Sequence, residues 1–281
     1  MKTKIVISHF EGPRTAGYLS YNTLEMFYYG ISLAFFKANE HYKNIEFIGN
    51  VDAWKLIEKL NLPWSKVHVL HPGIDYDETL LEHFWNYGKL VAMKIAEPPY
   101  IHIDTDVFLL KNCLPEFTDF LFQNPEHGVY QYDEVVDLVY NDTKFKSILP
   151  EYFYKNNNIE NAYNCGVIGI GNKEVRDGWL DPLFVFLDKL KEVYVEHENI
   201  DYKAISWPIF IEQYSVYCYV KSSGVNVALL SNSMIDMYRA AEKLGYVHLL
   251  SNSKRLPRNE ERIRARLLKE YPEQVKLISK L

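Results

Sequence analysis

Two aspartates that stand one residue apart are the part of the sequence best suited to chemistry. Asp104 and Asp106 come directly after Tyr100–Ile103, a short apolar run whose residue types predict a buried strand. Burying two carboxylates is costly unless a cation neutralises them. Carboxylate oxygens suit Mg²⁺ and Mn²⁺, which proteins often hold through one or two carboxylates together with the phosphates of a ligand. The pair therefore predicts a divalent metal that carries a phosphorylated ligand; the alternative is that it only caps the turn after the strand.

The elements before this pair alternate between strands and helices. The residue patterns predict strands over residues 4–10, 45–49 and 66–70, and helices over residues 20–42 and 52–60, the first with Ser20 as its N-cap. This alternation predicts an α/β fold with a mostly parallel sheet, in which ligands bind at the carboxyl ends of strands. His9, near the carboxyl end of the first strand and next to the loop that follows it, is then a candidate for contact with a nucleotide.

The rest of the chain predicts a longer series of elements. Helices are expected over residues 83–97, 113–124, 175–194 and 208–219, and strands over residues 128–132, 167–170, 225–230 and 247–250. Residues 133–158 are polar, aromatic and irregular, which indicates either a functional loop or a small subdomain. Asn164 and Gly166 precede one expected strand, and His248 lies in the last one, where the ordinary interpretation is a structural histidine.

The composition of the chain limits the kinds of partner and the cellular location that we expect. The net charge of −6 argues against a nucleic-acid partner. The three cysteines show no metal-binding spacing and the N-terminus lacks a signal-peptide core, so we expect a cytoplasmic protein with reduced thiols. No glycine-rich phosphate loop is present, which strengthens the metal interpretation because something else must hold phosphate.

The C-terminal segment differs from the rest of the chain in charge. Residues 254–281 contain nine Lys and Arg against four Asp and Glu, a net charge of +5, so the remainder carries −11. Short helices are expected over residues 259–269 and 271–281. The sequence thus predicts a main domain over residues 1–254 and a basic helical tail over residues 255–281. The tail is expected either to pack on the acidic body or to make a peripheral contact with an anionic membrane.

Four segments follow one another as they do in a known enzyme family. Residues 101–106, 163–167, 212–213 and 248–254 resemble the motifs of the GT-A (Rossmann-like) nucleotide-sugar glycosyltransferases. The order is most similar to that of the retaining group containing glycogenin and the lipopolysaccharide galactosyltransferases. The last segment departs from the family pattern, since His248 and Lys254 are present but the expected glycine, proline and tryptophan are not.

The resemblance implies a function and assigns roles to single residues. It implies transfer of a hexose-like sugar from a nucleoside-diphosphate sugar, with a UDP-sugar favoured, to a saccharide or glycolipid acceptor in surface polysaccharide or lipopolysaccharide synthesis. The implied roles are metal binding (Mn²⁺ or Mg²⁺) by Asp104, Asp106 and His248, contact with the transferred sugar by Asn164 and Gly166, and a place on the reacting face of the sugar for Glu212 or Gln213. Lys89 and Lys254 would add positive charge at the diphosphate.

Two other functions are compatible with parts of the sequence. Residues 101–107 also resemble the first motif of haloacid-dehalogenase-type phosphatases, in which the first Asp is a nucleophile and the second an acid. That family has its motif near the N-terminus and adds a late acidic pair, whereas three strands come earlier here. The other alternative is a non-catalytic protein that binds sugar nucleotides. Lys89 itself has the ordinary interpretation of a solvated surface lysine.

Overall fold

The computed structural model describes residues 4–12, 21–127, 133–155, 161–196 and 206–281. Its strands are β1 (Lys4–His9), β2 (Asn44–Asn50), β3 (Lys66–Leu70), β4 (Tyr100–Ile103), β5 (Val107–Leu109), β6 (Phe120–His127), β7 (Asn161–Ile170), β8 (Val227–Leu229) and β9 (Tyr246–His248). Its α-helices are α1 (Leu24–His41), α2 (Val51–Ile57), α3 (Glu78–His83), α4 (Tyr87–Ile95), α5 (Asp133–Asn141), α6 (Thr143–Ile148), α7 (Glu151–Tyr154), α8 (Lys173–Glu196), α9 (Ser206–Ile209), α10 (Ser215–Ser223), α11 (Met234–Lys243), α12 (Pro257–Glu270) and α13 (Pro272–Ile278).

The fold is α/β with a mostly parallel central sheet, as the alternation of elements predicted. Seven strands form this sheet in the order β3-β2-β1-β4-β7-β6-β8. The pairs β1/β2, β1/β4, β2/β3 and β6/β8 are parallel, and β6/β7 is antiparallel. A second sheet consists of β5 and β9, paired antiparallel.

The chain divides into two compact units. Unit 1 comprises Met1–Asp77, Ile101–Leu114 and Tyr238–Leu281, and unit 2 comprises Glu78–Tyr100 and Pro115–Met237. Among the described residues, no helix has both the length and the apolar character that crossing a membrane requires.

In unit 1 the central helix α1 is covered on almost every side. Its apolar residues face the sheet, and the C-terminal segment covers another face: the rings of Phe36 and Tyr271 stack at 4.4 Å, and Lys37 Nζ lies 3.1 Å from a carboxylate oxygen of Glu270. The α1 helix begins after Thr23, whose side chain accepts from Met26 N. The expected cap, Ser20, lies outside the described residues.

The C-terminal segment therefore packs on the body of unit 1, as one of its two interpretations predicted. Both helices expected in it are present, as α12 and α13, and Ile263, Leu267 and Ile278 are buried. The opposite side of α12 keeps basic residues exposed, among them Arg258 and Arg262. A peripheral membrane contact by that side stays a prediction.

In unit 2 two sequence expectations are wrong. Residues 113–124 were expected to be helical, but β6 begins at Phe120 and pairs with β7 on one side and β8 on the other. Packing between the strands favours a strand over a helix here, since the rings of Phe122 and Tyr163 stack at 4.3 Å. The strand expected at residues 167–170 begins earlier, at Asn161, so that Asn164 and Gly166 lie within β7 rather than before it.

Several boundaries of the helices also differ from expectation. The single helix expected over residues 83–97 is instead two helices, α3 and α4, and the side chain of Asn86 between them donates to Pro208 O at 2.6 Å. The segment 133–158 contains three helices, α5 to α7, rather than an irregular loop. Helix α11 was not expected, the last strand ends at His248, and the strand expected over residues 128–132 lies outside the described residues.

Candidate functional site

The acidic pair of unit 1 lies in a tight turn between β4 and β5. The turn is closed by a hydrogen bond from Val107 N to Asp104 O at 3.0 Å. The side chain of Asp106 is 5% exposed and that of Asp104 is 31% exposed. One carboxylate is therefore buried and the other faces an opening to solvent, which suits a site that admits a ligand.

Strand pairing brings His248 to this turn from 142 residues later in the chain. Strand β9 pairs with β5 so that His248 lies opposite Val107, and Leu249 N donates to Asp106 O at 3.1 Å. The imidazole Nε2 of His248 is consequently 3.6 Å from Asp106 Oδ1.

The three side chains have the composition and spacing of a metal site. One ligand atom from each of Asp104, Asp106 and His248 lies within 4.8 Å of the others. Two carboxylates and one imidazole fit Mn²⁺ well, and fit Mg²⁺ less well because Mg²⁺ prefers an all-oxygen shell. Partial burial of the group and its convergence from two separate strands support this fit.

We expect the His248→Ala variant to bind Mn²⁺ on the order of 10–100-fold more weakly than wild type, since a lost ligand costs at least as much as a lost supporting contact. Its nucleoside-diphosphate affinity should fall in parallel. Titration of Mn²⁺ into both proteins measures the change. A variant that melts earlier but binds Mn²⁺ as wild type does would remove His248 from the ligand set.

Lys254 makes the shortest ionic contact of this cluster. Its Nζ lies 2.7 Å from Asp106 Oδ2, on the carboxylate oxygen that does not face His248. Burial alone would raise the pKa of Asp106, but Lys254 and His248 outweigh burial and hold that pKa below its usual value. Asp106 is therefore ionised at neutral pH and available as a ligand.

Other polar side chains of unit 1 stand close to the acidic pair. Ser8 Oγ and His102 Nε2 are hydrogen-bonded at 2.8 Å, and His102 Nδ1 lies 3.8 Å from Asp104 Oδ1. His9, a predicted nucleotide contact, is buried against Phe27 at a ring distance of 4.8 Å. Its Nε2 is 2.7 Å from Glu11 Oε1. The ring of His9 thus has structural partners, and a contact with a nucleotide stays a prediction.

In unit 2, a second polar cluster is built around Glu212. This residue lies in a π-helical turn, Phe210–Tyr214, within an otherwise apolar helical run; such turns often occur at functional sites. The Glu212 side chain is 4% exposed. Its Oε1 is 2.7 Å from Lys89 Nζ, and its Oε2 accepts from Asn86 Nδ2 at 3.0 Å.

Lys89 is not the solvated surface lysine of its ordinary interpretation. Its side chain is only 11% exposed, and besides the contact with Glu212 it donates to Cys165 O at 2.7 Å. These contacts connect α4, β7 and the π-helical turn within unit 2. Gln213, the neighbour of Glu212, is half-buried.

Glu126 is a member of this unit that the sequence did not indicate. Asn164 Nδ2 donates to Glu126 Oε1 at 2.6 Å, while Asn164 Oδ1 accepts from Gly166 N at 3.0 Å. Burial, and after it the charge of Glu212, raises the pKa of Glu126 above its usual value. No spacing in the sequence pointed to Glu126, or to Asn86, because each joins the cluster through strand or helix packing.

Unit 1 thus presents a carboxylate–imidazole cluster and unit 2 a buried group of acids, amides and a lysine, on an α/β fold. The chain belongs to the family described as "Family of unknown function (DUF6734)", whose model matches residues 11–281. A comparison with curated proteins finds no match.

Proposed function

We propose that this protein is a metal-dependent glycosyltransferase of the GT-A type, which transfers a sugar from a nucleoside-diphosphate sugar to a saccharide or glycolipid acceptor. One observation carries the proposal: Asp104, Asp106 and His248 lie within ligand distance of one another although they are far apart in the chain. The resemblance of four segments to that enzyme class supports it.

In this proposal the metal cluster of unit 1 binds a diphosphate. Asp104, Asp106 and His248 would hold Mn²⁺, or Mg²⁺, and the ion when bound would act as a Lewis acid on the departing diphosphate. Lys254 contributes a second positive charge beside the same carboxylate. That charge is useful where negative charge develops on the leaving group.

Unit 2, taken by itself, contains a set of groups that suits a sugar. The Asn164 amide, the Gly166 backbone and the carboxylates of Glu126 and Glu212 include both donors and acceptors, which is the combination that hydroxyl groups require. Lys89 and Asn86 bond to the side chain of Glu212, which would orient a hydroxyl or accept a proton.

The phosphatase alternative fits the geometry less well. That mechanism needs the second aspartate as a general acid, which requires a carboxyl that carries a proton. Here the corresponding Asp106 faces Lys254 at 2.7 Å and its pKa is lowered. The charge state of Asp106 therefore favours a ligand role over an acid role.

We expect UDP and UDP-sugars to bind wild-type protein only in the presence of Mn²⁺ or Mg²⁺. The physical reason is that the diphosphate would otherwise meet two carboxylates, of which Lys254 pairs with Asp106. Isothermal titration of UDP in Mn²⁺ and in EDTA measures the difference. Equal affinities in the two buffers would contradict the proposed function, and metal-dependent binding without any release of UDP from UDP-sugars would favour the non-catalytic binding protein.

A further inference from the structure

The side chain of Glu126, in unit 2, is positioned by the pairing of two strands. Strand β6 runs antiparallel to β7, with Glu126 opposite Ala162 and diagonal to Asn164. Asn164 Nδ2 donates to Glu126 Oε1 at 2.6 Å. The orientation of this amide is set, because Asn164 Oδ1 accepts from Gly166 N at 3.0 Å. Oε1 of Glu126 is therefore fixed as an acceptor, whereas Oε2 forms no hydrogen bond with the residues that the structure describes.

A second carboxyl group, that of Glu212, takes up the cation of this cluster. Lys89 Nζ lies 2.7 Å from Glu212 Oε1. Within the described parts of the chain, no lysine, arginine or histidine forms an ion pair with Glu126. Its neighbour in β6, His127, bonds instead to Asn161, and β8 on the other side of β6 contains no titratable side chain. Two carboxyl groups thus share one ammonium group, which is paired with Glu212.

A buried carboxyl group without a cation favours its neutral form. Burial raises the pKa of Glu126, the hydrogen bond from Asn164 opposes this rise in part, and the charge of Glu212 adds to it. A proton on Glu126 belongs on Oε2, because Oε1 already accepts from Asn164. Since Glu126 is only half-buried, its Oε2–H group would be a donor that a ligand can reach.

Asn86 gives an independent reason to expect a ligand with hydroxyl groups in unit 2. It is 1% exposed, and its Nδ2 donates to both Pro208 O and Glu212 Oε2. Its Oδ1 has no donor among the described residues. A buried acceptor without a donor is rare and costly. A hydroxyl group is a donor that such an acceptor needs, and it is also an acceptor for the proton of Glu126.

We propose that Glu126 binds a sugar as a neutral carboxylic acid, donating a hydrogen bond from Oε2 to a sugar hydroxyl oxygen, and that unit 2 consequently selects uncharged sugars. The inference rests on the sugar-binding role that the proposed function gives to unit 2, and it adds a protonation state and a substrate class. A uronic acid is disfavoured because its carboxylate would meet Glu212, whose cation is already paired. Glu126 is a specificity-determining residue in this view.

Two substitutions separate donation by Glu126 from its charge. Glutamine is a neutral isostere that can still accept from Asn164 and donate from its Nε2, so Glu126→Gln should bind an uncharged sugar within about 2-fold of wild type at low pH. Leucine can do neither, so Glu126→Leu should bind it on the order of 10-fold more weakly. The probes are the methyl glycosides of glucose, galactose and N-acetylglucosamine, with binding measured by ligand-observed NMR. Methyl glucuronide should bind wild type about 10-fold or more weakly than methyl glucoside.

The dependence of binding on pH identifies the neutral form. As the pH rises from about 6 to about 9, the range in which buried glutamates can titrate, wild type should lose affinity for the glycosides. The Glu126→Gln variant should bind equally well throughout, because its amide has no proton to lose. A carboxyl group that only orients Asn164 would give no difference between the two proteins.

Thermal melts test the protonation state without any ligand. Above the ordinary glutamate pKa of about 4.3, the unfolded chain releases a proton that folded Glu126 keeps, so wild type loses stability as the pH rises toward the raised pKa of the folded protein. Glu126→Gln does not share this loss, so its melting temperature should rise relative to wild type over that window. Glu116→Gln, at an exposed position of the same unit, is the matched control and should show no such trend.

The possible outcomes separate this inference from the proposed function. The same pH dependence in wild type and Glu126→Gln would overturn the inference, and so would wild-type glycoside binding by Glu126→Leu or the failure of every glycoside to bind wild type. Equal binding of the glucoside and the glucuronide would overturn the substrate class. If Glu126→Leu does not fold, the pH profiles and melts of Glu126→Gln still decide. Metal-dependent binding of UDP by wild type tests the proposed function separately, because none of these measurements uses the metal cluster.

Discussion

The Asp106→Asn variant is expected to lose metal-dependent nucleotide binding and turnover while it keeps its fold. Asp106 is the only residue of the cluster, among those described, whose carboxylate contacts both His248 and Lys254. An amide is nearly the same size but carries no charge, so a divalent ion would lose half of its carboxylate charge. Outer-shell partners of metal ligands are worth about 10–100-fold in affinity, and we expect the loss of a ligand to reach at least 100-fold.

The measurement is Mn²⁺ titration followed by UDP titration, with a thermal melt as the test of folding. Asp52→Asn is a matched control, because Asp52 is exposed and pairs only with Lys55 at 2.8 Å among the contacts described. Asp104→Asn is a second test: it removes a ligand without touching the pair that Asp106 forms with Lys254. Wild-type Mn²⁺ affinity in either cluster variant would exclude that carboxylate from the site.

The Glu212→Gln variant is expected to lower turnover by about 100-fold or more while it weakens donor binding only a few-fold. General acid–base groups contribute typically 10²–10⁴-fold to a rate, and an orienting carboxylate acts on the same step. Glu212 is buried and bonded to Lys89 and Asn86, so its charge is held in one place. Steady-state release of UDP measures the rate, and calorimetry measures donor affinity separately.

Removal of one partner of a buried ion pair can also destabilise a protein, by roughly 3–5 kcal/mol. A melt must therefore accompany the rate. Glu192→Gln, an exposed position of α8 in the same unit, controls for the substitution itself. Unchanged turnover in a folded Glu212→Gln protein would show that Glu212 only joins α4 to the π-helical turn.

A pH titration of the Glu212→Gln variant tests the electrostatic interaction between Glu212 and Glu126. The charge of Glu212 helps to raise the pKa of Glu126, so the neutral glutamine should lower that pKa. A protonated Glu126 would then lose its proton at a lower pH than in wild type. We expect the titration of the Glu126 carboxyl, followed by NMR, to move to lower pH in the variant than in wild type, and an unchanged titration would show that the two carboxyls do not interact.

The early part of the fold is determined by the local sequence. Strands β1 to β4 lie where the sequence predicted them because each is a short, mostly apolar run that is bounded by turn or helix signals. The position of Asp104 and Asp106 at the end of β4 follows from the same pattern. Helices α8, α12 and α13 were also predicted, since their apolar residues repeat at helical spacing.

Where the local sequence was compatible with either a helix or a strand, tertiary packing determined which of the two formed. Phe120 to Phe122 is an apolar run that suits either a helix or a strand, and pairing with β7 and β8 makes it a strand. The pairing of these strands places Glu126 within hydrogen-bond distance of Asn164. The periodicity of the sequence does not show that Glu126 and Asn164 are neighbours, because the two residues belong to different strands.

In the candidate site, too, some features follow from the local sequence and others only from the tertiary structure. The residue types at positions 104 and 106 were enough to suggest a divalent metal, and a family resemblance suggested His248. Only the antiparallel pairing of β5 with β9 brings that imidazole within 3.6 Å of Asp106, and only the turn before α12 sets Lys254 against the same carboxylate. Sequence determined the chemistry that was available, whereas long-range strand pairing, which no local pattern encodes, determined which groups meet.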